Sequence, residues 1–532
     1  MGVWENKVFS VKIQVQKLMK ENNLSCIALH ILAVVVVCNT NVWCTVTVYP
    51  TPDNLPVSYL SSDYQVWVND VSVPVYSSYR FDGDSTTTLW GRPVSPVSFC
   101  SFDSDQKVTV KIKLGADLKN AGIDTGKITV RPLRERIEPT LTNDTFVFTI
   151  DKQPCQLTVE AGAGLKRPLH IFINPIETDI PTASSPSVLY FGPGYHIVDT
   201  LTIRSDSTVY LAGGAVIEAK YIANKPVAGN LYGKPWTGGI NVFNANNTSN
   251  ATIRGRGIIT CRHALENGQR SSAITCDYAD NLTIEGVIIT ISGWAGLHIR
   301  QCEKVTIDNV KMITPWVNGD ALALDTTTAS TVKNCFAHCA DDGFEIKVRG
   351  GKPVEDVVFS RCTIWSDLGA GFGLIAESEA DSRNITFRDC TVLHSTDNIS
   401  SSPVIGLKIA SGSGNARDYT FENIVVEETL GDKRPILKVI NNWPEWHLDV
   451  PTESNNPYAI LNAVPRTPTP GLIENITFRN INVLKAANTD IVVMADSIDS
   501  PIRDIMFNDV IINGNKIMAN DERITLLSKI SS

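Results

Sequence analysis

Histidine is scarce in this chain, with eight in 532 residues. No HExxH, no CxxC pair and no P-loop occurs, so nothing in the sequence marks a zinc, redox or nucleotide site, and no cofactor or metal is expected. An excess of basic charge is also lacking. The formal net charge is -9, which argues against nucleic acid as a partner, because polyanion binders carry basic patches. No long segment has a 3.6-residue apolar period, which weighs against an α/β fold. Beyond the N-terminal segment, no stretch is long and apolar enough to span a bilayer. The hydrophobic fraction, 43%, is that of a globular chain with a large core.

Near the N-terminus, Lys20 precedes an apolar run from Cys26 to Cys38, followed by polar Asn and Thr. The run has the length of a secretory h-region. Residues 1–44 are therefore read as a signal peptide, with Met19 as an alternative start and cleavage near Cys44. A membrane anchor is the competing reading. A secreted, monomeric protein without membrane insertion is expected. Twelve cysteines in such a chain allow disulfides. Yet Cys335, Cys362 and Cys390 recur at equivalent repeat positions, which fits buried stacking equally well.

Two regions follow. Residues 45–180 hold short alternating segments, "YQVWVND", "KVTVKIKL", "KITVRPL", "TFVFTI" and "CQLTVEA", between turn residues, the pattern of a β-sandwich. "INPIETDIPTASSPS" reads as a linker. Residues 181–532 repeat one form: "ATIRGRGIIT" at 251, "LTIEGVIIT" at 282, "VTIDNVKMI" at 305, "STVKNCFAH" at 330, "VVFSRCTIW" at 357, "ITFRDCTVL" at 385, "YTFENIVVE" at 419, "ITFRNINVL" at 476 and "IMFNDVIIN" at 505. Each is an apolar triplet, two polar residues with Asn, Asp or Gly, and a second apolar triplet. That form makes two strands joined by a bend, stacked as coils of a parallel β-helix. The fold class is thus all-β. The long interval 428–475 is read as a loop thrown out from the coils.

Asp320 precedes "ALALD", and Asp341-Asp342 precede "GFEIK". Both pentads alternate, and aligning them sets the three acids side by side on neighbouring coils, about 4.8 Å apart. Repulsion then raises at least one carboxyl pKa, leaving a protonated acid beside ionised ones. Glycosidic bond hydrolysis needs that combination. The plain alternative is structural, since Asp and Asn cap bends. Trp294, Trp316 and Trp365 lie around the acids, and Trp316 is the favoured sugar-stacking face, against core packing. Glu345 and Lys347 are read as substrate contacts, or as partners of each other. His298 is a candidate positioning group or a structural histidine, and Glu377 is a weaker candidate. The sequons at Asn143, Asn281, Asn384 and Asn475 arise from the repeat as readily as from glycosylation.

The stretch from "SGWAGLHIR" through "NGDALALD" to "CADDGFEIKV" resembles the polygalacturonase-fold glycoside hydrolases, which comprise the polygalacturonase family and the dextranase/isopullulanase family. The resemblance covers roughly 185–515. It implies a right-handed parallel β-helix and inversion at the anomeric carbon, with Asp341 as general acid and Asp320 and Asp342 activating water. Polygalacturonases carry a G-H-G motif where this chain has Ala370 in "GAGFGLIAES". They also carry an R-I-K; here "GLKIA" keeps Lys408, implied as a substrate contact, and ends in Ala410. A uronic acid would want the missing base; a neutral glucan would not. A sandwich ahead of the helix fits the dextranase layout. The expected activity is therefore hydrolysis of an α-linked polysaccharide, dextran or a pullulan-like glucan. The alternatives are a pectin hydrolase, a calcium-dependent polysaccharide lyase, a non-catalytic glycan-binding β-helix and a structural extracellular protein.

Overall fold

The computed structural model describes residues 46–528 except 83–84, 90–91, 163–164, 232–233, 317, 397–402, 432–433, 443–468, 496–500 and 519–523. The expected signal peptide, Cys26, Cys38, Cys44, Trp90 and most of the 428–475 loop lie outside the described residues. Among those described, no helix is long and apolar enough to cross a membrane.

Strands between Val188 and Ser528 form two long, almost wholly parallel sheets, of twenty and twelve strands among the described residues. In the larger sheet each coil gives two strands joined by a bend, such as Thr306–Asp308 and Lys311–Thr314. The repeat explains the bend. Its residue occupies the left-handed region in coil after coil: Gly286, Asn309, Asn334, Asp389, Asn423, Asn480 and Asp509, with φ between 50° and 78°. Asn and Asp tolerate that conformation better than other side chains do. The sequon asparagines Asn281, Asn384 and Asn475 sit at left-handed positions too, each donating to the Asn or Asp of the preceding coil.

Like stacks on like inside the helix. Phe359, Phe387, Phe421, Phe478 and Phe507 form a column with ring centroids 4.5 to 5.3 Å apart, close to the coil spacing. Nine cysteines are described, all free and buried. Cys335, Cys362 and Cys390 stack on one another, and burial pushes the Cys362 thiol well up. Stacking, rather than disulfide pairing, accounts for their periodicity.

Residues 46–174 form two sheets, one of five antiparallel strands and one of seven. All five alternating segments noted in the sequence are strands here. Thr45–Ser532 makes one compact unit, so the two β regions do not hang on a free linker. The reason is visible in strand Cys155–Ala161, where every residue is buried. Its apolar positions Leu157 and Val159 are core. Its polar positions Gln156, Thr158 and Glu160 bond Asn334, His170 and His394. Val97, Phe99 and Phe172 pack on Val216, Ile258, Ile288, Ile313, Phe336 and Leu393 of the helix.

Buried ion pairs complete the seam. Arg80 bonds Asp367 at 2.7 Å, and Arg256 lies 3.0 Å from Asp103. Arg131 reaches Glu160 at 3.0 Å, Glu427 at 2.8 Å and Glu428 at 3.3 Å. A buried charge that loses its partner is costly. Arg131→Met, which keeps the volume but strands the glutamates, is expected to lower unfolding free energy by about 3–5 kcal/mol at neutral pH, measured by denaturant titration.

Candidate active site

Asp320 and the Asp341-Asp342 pair sit in the bends that lead into strands Leu322–Asp325 and Phe344–Val348. These strands are neighbours in the twelve-stranded sheet, with Leu322 opposite Phe344 and Ala323 opposite Glu345. Backbone bonds extend the ladder into the bends: Ala321 N–H donates to Asp342 O at 2.8 Å. Glycine permits the crowding. A Cβ on Gly369 of the following coil would lie 2.1 Å from the Asp341 carbonyl carbon.

The register brings all three acids together. One oxygen from each of Asp320, Asp341 and Asp342 lies within 4.8 Å of the others. Asp320 and Asp341 are partly exposed and Asp342 is buried. Each member of the pair is fixed by a backbone amide. Asn318 N–H donates to Asp341 Oδ2 at 2.9 Å, and Ala370 N–H donates to Asp342 Oδ1 at 2.6 Å. The chain thus meets Asp342 with a main-chain donor at Ala370. Arg434, which no sequence pattern singled out, braces that loop by donating to Gly369 O at 2.7 Å.

Enclosure by protein pushes the Asp320 carboxyl up, and the Asp342 charge adds to this; Lys347, Glu345 and His298 oppose it. Beneath the acids lies a buried pair, Lys347 Nζ to Glu345 Oε2 at 3.0 Å, with Glu377 4.0 Å from the same amine. Burial and the charges of Asp320 and Asp342 hold the Glu345 carboxyl well above its usual range. Burial works against the Lys347 cation, but the surrounding carboxylates outweigh it and keep the amine protonated. Burial carries Lys408 down to about 7, against the pull of Asp342.

Three expectations are corrected here. Trp316 is fully buried against Leu89, Val94 and Leu265, because the sandwich covers that side of the bend; it is no sugar platform. Glu345 has no exposed surface and pairs with Lys347 instead of reaching outward. Lys408 is likewise fully buried, below the acids rather than beside a ligand. Trp365 belongs to the seam, stacked 4.5 Å from His338. His298 does stand at the site edge, about one-third exposed, 3.6 Å from Asp325 and 3.3 Å from Arg349. Asp325 and Arg349 complete this cluster at 2.6 Å. Burial pushes the Asp325 carboxyl up, but bonds to His298 and Arg349 hold it low. The strand alternation carries their signal: Glu345, Lys347 and Arg349 share one parity, and Asp325 pairs with Lys347.

A raised carboxyl pKa means the folded state holds a proton that the unfolded chain releases. The stabilisation tied to Asp320 protonation is therefore full below the ordinary Asp value. It is lost as pH rises through the folded value. Asp320→Asn is accordingly expected to raise the melting temperature at pH 7, with the gain shrinking toward pH 4; melting curves across that range check it.

Residues 272–431 match the family model described as "Right handed beta helix region". No curated protein matches the chain. Among solved structures, Dex49A from Penicillium minioluteum is similar with TM-score 0.57 and 15% identity, covering 91% of this chain and 96% of that one. A polygalacturonase from Erwinia carotovora ssp. carotovora gives TM-score 0.46 and 14% identity over 66% of this chain and 95% of its own. The Yersinia enterocolitica family 28 exopolygalacturonase gives 0.39 and 12% over 91% and 95%. At 15% identity the likeness to Dex49A, with the family-model match, concerns the fold alone: a right-handed parallel β-helix, here preceded by a β-sandwich.

Proposed function

We propose that this protein is a glycoside hydrolase that cleaves an α-linked polysaccharide outside the cell, as a monomer. The observation that carries this reading is the meeting of three carboxylates within 4.8 Å on adjacent coils. Asp341 is the proton donor to the leaving oxygen. Asp320 and Asp342 hold and deprotonate the attacking water. Asp342 is oriented by the Ala370 amide, and the Lys347 charge opposes the rise that burial imposes on Asp320. The Lys347 cation also balances charge that a divalent ion would otherwise have to neutralise, so the reaction is assigned no metal.

A neutral glucan, dextran or a pullulan-like chain, is the preferred substrate. Three carboxylates meet at the site and Lys408 is buried, which disfavours a uronate there. The likeness to Dex49A extends over both the sandwich and the helix, which supports this branch. Export follows from the sequence of residues 20–44 and from the size of such substrates, which cannot cross a membrane.

Stereochemistry has two readings. Two bases facing one donor favour single displacement by water, with inversion. The oxygen spacing favours a second reading, because inverting pairs are usually separated by roughly 6.5–9.5 Å to admit water. Asp342 or Asp320 would then attack directly and the configuration would be retained.

Incubation with dextran, pullulan and polygalacturonate, followed by product sizing and NMR of the first-formed anomer, tests the assignment. Reducing ends from a glucan, with inverted configuration and undiminished by EDTA, are expected. Asp341→Asn is expected to lose activity by about 10²–10⁴-fold with the fold intact. Unsaturated products, or full activity in that variant, would refute the mechanism.

A further inference from the structure

Trp294 is the large aromatic next to the acids that stays open, with 44% of its surface exposed. Its surroundings hold the ring in place. The Arg270 guanidinium carbon lies 3.7 Å from the Trp294 ring centroid and 5.0 Å from that of Trp236, within cation–π range of both. Arg270 is itself buried and immobilised: Nε donates to Gly293 O at 3.0 Å, and an Nη2 proton reaches Asn318 Oδ1 at 3.4 Å. The three side chains come from successive coils. Trp236 precedes Gly238, which pairs with Arg270, and the Gly293 amide bonds Ser271 O at 2.8 Å.

The same ladder leads to the acids. Gly296 N–H donates to Asp320 O at 2.8 Å, and Ala321 N–H to Asp342 O at 2.8 Å. Counting back two positions puts Trp294 in line with Gly319 and Asp341. That alignment separates the Trp294 and Asp341 backbones by about two coil spacings, roughly 10 Å. Asn318 closes the connection, since its backbone amide bonds Asp341 while its side chain receives Arg270.

We propose that Trp294, held flat by Arg270 and flanked by Trp236, is a sugar-stacking subsite that takes a neutral hexopyranose unit of the glycan on the N-terminal side of the acids. The proposal rests on the glycan-cleaving reading of those acids and adds a specificity element to it. A pyranose ring offers C–H groups to an indole face, and an indole fixed before binding loses little freedom when it binds. Both indoles lie over the Arg270 guanidinium, and two of its N–H donors go to Gly293 and Asn318.

Calorimetric titration of Asp341→Asn protein, alone and combined with Trp294→Ala or Trp294→Phe, tests this with isomaltohexaose and hexagalacturonate as probes. The alanine change is expected to weaken isomaltohexaose binding about tenfold, with most of the loss recovered by Phe. In otherwise wild-type protein, Trp294→Ala is expected to raise KM for dextran while kcat stays within about twofold. Trp294-dependent binding by a protein that cleaves nothing would uphold the subsite and reject the hydrolase reading. Cleavage and binding indifferent to Trp294, binding of neither oligomer, or preference for hexagalacturonate would each overturn the subsite.

Discussion

In-register stacking of one coil on the next is the constraint on which the rest of the structure depends. A coil cannot bury its own inward face, and each residue's counterpart on the neighbouring coil must be of similar size and polarity. The phenylalanine column, the free cysteines in line and the asparagines at left-handed bends all satisfy this rule. The same rule, applied where the column holds acids, forces like charges together. The molecule tolerates that arrangement because Lys347 lies under the acids and backbone amides from Asn318 and Ala370 bond two of them.

The sandwich is a second consequence of exposed coil faces. One helix face, along Ile258, Ile288, Ile313 and Phe336, is apolar both inward and outward and must be covered. Further along, the covering layer changes from apolar packing to buried polar contacts: His170 with His338, Arg80 with Asp367, and Arg131 with three glutamates. Such pairs contribute little net stability compared with apolar packing, but they fix one register of docking. Covering this face buries Trp316 and Trp365 and leaves the acid-bearing side of the coils to meet a ligand.

At the site, charge and burial divide the work. Burial, with a smaller addition from neighbouring carboxylates, raises the Asp320 and Glu345 carboxyls. On the preceding coils Arg270 stacks between Trp294 and Trp236, the element proposed above to receive a sugar ring.

The sequence by itself determined the repeating part of this protein. Strand, bend and strand recur with a period, and a periodic pattern needs no distant information to be read. The juxtaposition of Asp320 with Asp341-Asp342 was legible for the same reason, since alternation and repeat length fix the register of adjacent coils. What only the tertiary structure decided is which face of each element meets another layer. Gln156, Thr158 and Glu160 alternate with apolar residues as if facing water, yet they face the helix. Trp316 and Trp294 look alike in sequence, but the sandwich covers one and Arg270 holds the other open to solvent. Glu345 and Lys347 leave the core to Phe344, Ile346 and Val348 and pair with each other on the outer face, beneath the acids. Docking of a second sheet depends on residues more than a hundred positions away, and local alternation carries no record of them.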